Sequence, residues 1–132
     1  MKTQQSSFPE LALALPVPEL WLKREDLHHF GSHKGRSIPF MIDYYWHKEG
    51  LVNFVISSSG NAALAAALHV RHHNKNNPDK KISLTIFVGN KIPTEKLDIL
   101  KKLIHRADEA ILSHKSYLAY LYSEKNEKAI SP

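Results

Sequence analysis

No cysteine occurs in the 132 residues. Disulfides, thiolate nucleophiles and cysteine-built zinc sites are therefore excluded. Glycine is scarce, with five in all, at 31, 35, 50, 60 and 89. They are too dispersed for any group of them to wrap a phosphate. No apolar run approaches the roughly eighteen residues needed to span a membrane. The opening MKTQQSSFPE lacks the apolar stretch of a secretory signal. These absences predict a soluble protein of a reducing compartment, with a cytoplasmic location and no membrane partner.

Apolar residues make up 42% and charged residues 23%, ordinary values for a globular chain. The length suits one modest domain. The formal charge of +5 fits nucleic acid or a site for small anions. The lysines are scattered, only Lys80–Lys81 and Lys101–Lys102 forming doublets. No aromatics interleave with them as a stacking platform requires. Solvated helix faces are the better reading, and no nucleic-acid partner is expected.

Strand and helix signals alternate along the chain. LWLKRE (20–25) reads as a short strand, and Gly31 and Ser32 break it. Ile38, Met41, Ile42 and Tyr45 have helical spacing. Pro39 is tolerable only in a first turn, which puts the helix start near Ser37. Gly50 closes that helix. VNFVISS (52–58) is a continuous β-branched and aromatic run of the type buried on both sheet faces, and ISLTIFVG (82–89) reads as a second buried strand. Between them lies an alanine-rich helix, 59–73. Pro93 suits a helix start, and Leu97, Leu100, Leu103 and Ile104 share the face that follows. DEAILS (108–113) reads as a further strand and 115–129 as a last helix. This β-α order predicts an α/β fold, three-layer αβα, with a mostly parallel sheet of about four strands. Residues 1–19, with three prolines, read as an extended lead-in to a single α/β domain over 20–132.

In such sheets ligands bind beyond the carboxyl ends of strands. Two loops qualify: KREDLHHFGSHKGRS (23–37) and SSSGNA (57–62). In the second, Gly60 permits a tight turn. The free amides of the following helix, with Ser58 and Ser59, form a seat for a carboxylate or phosphate. Asn61 adds an amide donor. Each loop alone has an ordinary reading: Lys34 as an exposed helix-start lysine, Asn61 as a helix cap.

The pair of loops resembles those of the fold type II pyridoxal-phosphate enzymes, the tryptophan synthase β-like group that includes threonine synthase, threonine and serine dehydratases and cysteine synthase. The resemblance covers residues 16 to 129. It implies that Lys34, closing the Gly-Ser-x-Lys segment, is the catalytic lysine and holds pyridoxal 5′-phosphate as a Schiff base. By the same match Asn61 bonds the cofactor ring hydroxyl, and His33 lies near the cofactor phosphate. Ser58, Ser59 and Gly60 receive the substrate carboxylate. The implied function is that of the N-terminal part of a lyase or synthase acting on a small amino acid, by elimination or replacement through an aldimine. Family members are longer. Their glycine-rich phosphate loop and their partner for the pyridine nitrogen have no counterpart here, and the chain corresponds to the small domain of the family fold. The implied site is half a site, incomplete as a catalyst without a second chain or a C-terminal domain; self-association is a further expectation. The alternative is a non-catalytic α/β binding or regulatory domain that keeps the fold.

Arg24, Glu25 and Asp26 read as a structural charge network. Among nine histidines, His69 and His73 have the i, i+4 spacing that can grip a metal. No carboxylate or cysteine joins them in the motif, so a surface histidine cluster is expected and no metal site.

Overall fold

The computed structural model describes residues 2–89, 91–104 and 110–113. Ten elements follow in chain order. They are β1 (Gln5–Ser7), α1 (Pro9–Ala14), β2 (Trp21–Lys23), a 3-10 turn (Glu25–Leu27), α2 (Lys34–Glu49), β3 (Asn53–Ser57), α3 (Asn61–Asn76), β4 (Ser83–Phe87), α4 (Thr94–Ile104) and β5 (Ala110–Ser113). The predicted helix 115–129 lies outside the described residues.

The α/β class is as the pattern predicted, and β3, β4 and β5 form a parallel sheet in that order. Two features differ. The strand expected at 20–25 does not join the parallel sheet; β2 pairs antiparallel with β1, Gln5 opposite Lys23 and Ser7 opposite Trp21. The parallel sheet thus has three described strands rather than four. The lead-in is also not extended throughout. Pro9 sits in the first turn of α1, where a missing amide costs nothing, and Glu-Leu-Ala-Leu-Ala propagates the helix.

Helix α2 begins at Lys34, three residues before the position that Pro39 suggested. The proline removes the donor that would pair with the Gly35 carbonyl. The first turn is tightened: the amides of Gly35 and Arg36 donate to the carbonyls of Ser32 and His33 at 3.1 and 3.0 Å. Gly50 ends α2 at φ 65°, a left-handed cap that glycine adopts without strain.

Alternation along β3 and β4 shows where the core lies. Phe54, Ile56, Leu84 and Ile86 point into one cluster with Ile42, Ala63, Ala66, Val70 and Leu100. Helix α3 supplies small side chains, so it sits close to the sheet. Leu97, Leu103 and Ile104 join the cluster as their spacing predicted. The opposite face of β3 presents exposed Asn53, Val55 and Ser57. Among the described residues the helices α2, α3 and α4 all contribute to the one cluster. No helix among the described residues is long and apolar enough to cross a membrane.

Candidate functional site at the carboxyl end of the parallel sheet

Helices α2 and α3 run parallel and in register. Asp43 meets His69, Oδ1 to Nε2, at 2.8 Å, and Trp46 meets His73 edge to face at 4.4 Å between ring centres. These contacts set an offset of 26 to 27 residues, and Lys34 and Asn61, the first residues of the two helices, are 27 apart. The two helix starts therefore lie side by side. Both follow loops at the carboxyl end of β3, because α2 returns to β3 through a three-residue turn and α3 leaves it through another.

The loop before Lys34 is held at several points. Gly31 adopts φ 74°, and its amide donates to the His28 carbonyl at 2.6 Å. Ser32 is buried, and its Oγ accepts the Lys34 amide at 3.3 Å. Phe30 meets His69 edge to face, which ties the loop to α3. His33 is exposed and Lys34 half-buried.

The loop before Asn61 is a serine turn. Ser58 donates its amide to the Phe87 carbonyl at 3.0 Å, extending the sheet ladder by one bond. Its Oγ accepts the Gly60 amide at 3.2 Å. Gly60, not Asn61, is the N-cap residue, and no side chain caps this end of α3. The first amides of the helix have no intrahelical acceptor. A Cβ added at Gly60 would meet nothing within 4 Å. Ser59, Gly60 and Asn61 border a cleft of about 150 Å³ whose other walls are Leu64, Lys96, Ile99 and Leu100. Ser58, His33 and Lys34 do not line it. Lys96 is one of the scattered lysines, and its i, i+3, i+4 relation to Ile99 and Leu100 is the sequence signal that sets it on this wall.

The profile of the pyridoxal-phosphate-dependent enzymes matches residues 2–117. The chain belongs to that family. Among solved structures, a pyridoxal 5′-phosphate-dependent aspartate racemase superposes with a TM-score of 0.71 at 19% identity, over 89% of this chain and 33% of its own. Maize serine racemase gives 0.70 at 22%, over 97% and 36%. The O-acetylserine-dependent cystathionine β-synthase of Helicobacter pylori gives 0.69 at 20%, over 98% and 42%. At these identities the likeness shows the fold. The chain spans between a third and about two fifths of these neighbours. A search of curated proteins finds no match.

The expected charge network is present beside this site. Arg36 donates through Nε and its terminal nitrogen to Glu25 at 2.8 and 2.9 Å. Thr3 donates its hydroxyl to Glu25 at 2.6 Å, and Arg24 grips Asp26 in the same forked way. Arg36 and Thr3 hold the Glu25 carboxyl down to about 2. A lowered carboxylate stabilises the fold above its unfolded value of 4.5 and loses that contribution as pH falls through the folded value. Glu25→Gln should therefore be less stable than the parent at neutral pH, with the gap closing between pH 4.5 and 2. Thermal midpoints of both proteins across that range check it.

His69 and His73 are buried, at 7% and 5% exposure, so the expected surface cluster is corrected. Their Nε2 atoms are engaged by Asp43 and, at 3.3 Å, by the Lys80 carbonyl. They tie α2 and the following turn to α3. Among the described residues no three His, Cys, Asp or Glu side chains are grouped to hold a metal.

Proposed function

We propose that this chain supplies the lysine-bearing half of a pyridoxal-phosphate-dependent lyase or synthase that acts on a small amino acid. The observation that carries this reading is the parallel register of α2 and α3, which sets Lys34 beside the uncapped start of α3.

The donor set suits the cofactor's ring side: an amine on a braced first turn, an amide side chain at Asn61, and unpaired backbone amides. What the cofactor supplies when bound is a carbonyl for amines and a ring that withdraws electrons from the carbon attached to them. Lys34 would hold it through Nζ and, once freed by a substrate amine, take the proton from the substrate's α-carbon. Asn61 would donate to the ring oxygen. The Ser58–Ser59–Gly60 turn and the first amides of α3 would hold the substrate carboxylate, which orients the bond to be broken. His33 is assigned to the phosphate side. The five dispersed glycines offer no phosphate-wrapping loop, so that part of the site is assigned to a second chain or domain.

The test is the absorption spectrum of the purified protein with added pyridoxal phosphate, beside Lys34→Ala. The expected result is a lysine-adduct band in the parent that is lost in the variant. Borohydride trapping and mass spectrometry should place most of the label on Lys34. Label spread evenly over surface lysines would overturn the reading and favour the non-catalytic α/β domain.

A further inference from the structure

His28 is a buried histidine, 5% exposed, that no part of the proposed chemistry uses. It lies six residues before Lys34 and touches both ends of the loop between them. Its amide donates to the Glu25 carbonyl at 3.2 Å, closing the 3-10 turn. Its carbonyl accepts the Gly31 amide. Its Nδ1 accepts the Phe30 amide at 3.2 Å, which requires a lone pair there and so places the ring proton on Nε2. The same Nδ1–Cε1 edge of the ring lies against the first turn of α2: a Cβ at Gly35 would sit 2.5 Å from both Cε1 and Nδ1. One neutral imidazole thus serves as acceptor for the loop and as floor for the residue next to Lys34.

We propose that His28 is the positioning residue for Lys34, pinning the 28–35 backbone while neutral and releasing it when protonated. A second proton on Nδ1 would abolish the acceptor and set two N–H groups against each other. It would also place a charge in a closed pocket. The groups around the ring agree on the direction. Burial holds its pKa below the usual histidine range, His29, stacked at 4.6 Å, and Arg36 on α2 push the same way, and Glu25 on the 3-10 turn opposes them. His69 on α3 reaches the loop through Phe30.

The proposal rests on the reading of Lys34 above only for its relevance to function; its test does not. Backbone amide exchange of residues 28–36, corrected for intrinsic rates, is measured from pH 7.5 to 5 in the parent, His28→Asn and His28→Ala. An asparagine at 28 can offer its side-chain oxygen to the amide two residues on, as in an Asx turn, and does not titrate. In the parent, protection of Phe30, Lys34 and Gly35 should hold at neutral pH and fall below pH 6.5. In His28→Asn it should be flat, and in His28→Ala exchange should be about tenfold faster throughout, the loss of roughly one hydrogen bond. A pH step that persists in His28→Asn, or His28→Ala protection equal to the parent, overturns the proposal. Borohydride trapping at Lys34 is run in parallel. Absent label in every protein, with exchange as expected, refutes the cofactor reading and leaves His28 as the loop's anchor.

Discussion

Ile86→Ala should cost about 2–5 kcal/mol, the range for truncating a large buried aliphatic to alanine. Ile86 is fully buried in the central strand β4. It is registered opposite Ile56 on one side and Leu112 on the other. Helix α3 covers it with alanines, which cannot swing into the space left behind. A domain of this size commonly has only about 5–15 kcal/mol in total, so the substitution should remove a large share and lower the thermal midpoint by roughly ten degrees. Val55→Ala is the informative control. Val55 is on the edge strand with 52% of its surface exposed, on the face away from the helices, and should cost within about 0.5 kcal/mol. Equal losses at both positions in thermal unfolding would mean that this face of β3 is covered too.

Periodicity carried the sequence reading wherever an element packs by its own repeat. Leu97, Leu100 and Leu103 declared the inner face of α4, and the β-rich run at 82–89 declared a buried strand; the run at 52–58, whose composition suits burial on both faces, instead leaves Asn53, Val55 and Ser57 exposed. Gly50 marked a helix end because a left-handed residue there has few alternatives. The failures are of another kind. Nothing local says that Trp21–Lys23 should pair with Gln5–Ser7, because the partner lies across a short helix and no hairpin turn joins them. The proline rule misplaced the start of α2 because it weighs the missing donor of Pro39 but not the tightened turn before it, in which the Gly35 and Arg36 amides bond three residues back. His69 and His73 look exposed in the sequence because histidine usually is partly so. Yet Ala66, His69, Val70 and His73 share a helix face that a stricter count would have read as buried. The two loops were recognisable as motifs; their juxtaposition depended on the α2–α3 register, which rests on Asp43 and Trp46, residues with no motif of their own.

Gly35→Ala should lower stability by roughly 1–3 kcal/mol, the cost of overpacking. At an ordinary helical position this change would do the opposite. Alanine is favoured over glycine by up to about 1 kcal/mol inside a helix, and the unfolded chain also loses freedom. The sign reverses because of the neighbours. The new methyl would lie 2.5 Å from two atoms of the His28 ring and 2.7 Å from the Phe30 Cβ. The Phe30 Cβ is fixed to its backbone, and the ring is held by its acceptor bond to the Phe30 amide, so neither yields cheaply. Relief would come from lifting the 28–33 loop off α2, which displaces Lys34. Two measurements separate this from generic damage. Gly60→Ala, whose Cβ would meet nothing within 4 Å, should lose only the about 1 kcal/mol or less that alanine costs at a helix N-cap, with no effect on exchange in the 28–35 loop. Combining Gly35→Ala with His28→Ala should cost less than the sum of the single changes, because the ring that clashes is gone while the contact with Phe30 remains. A strictly additive double variant would mean that His28 and Gly35 do not share the contact. The glycine after Lys34 would then be there for the turn alone.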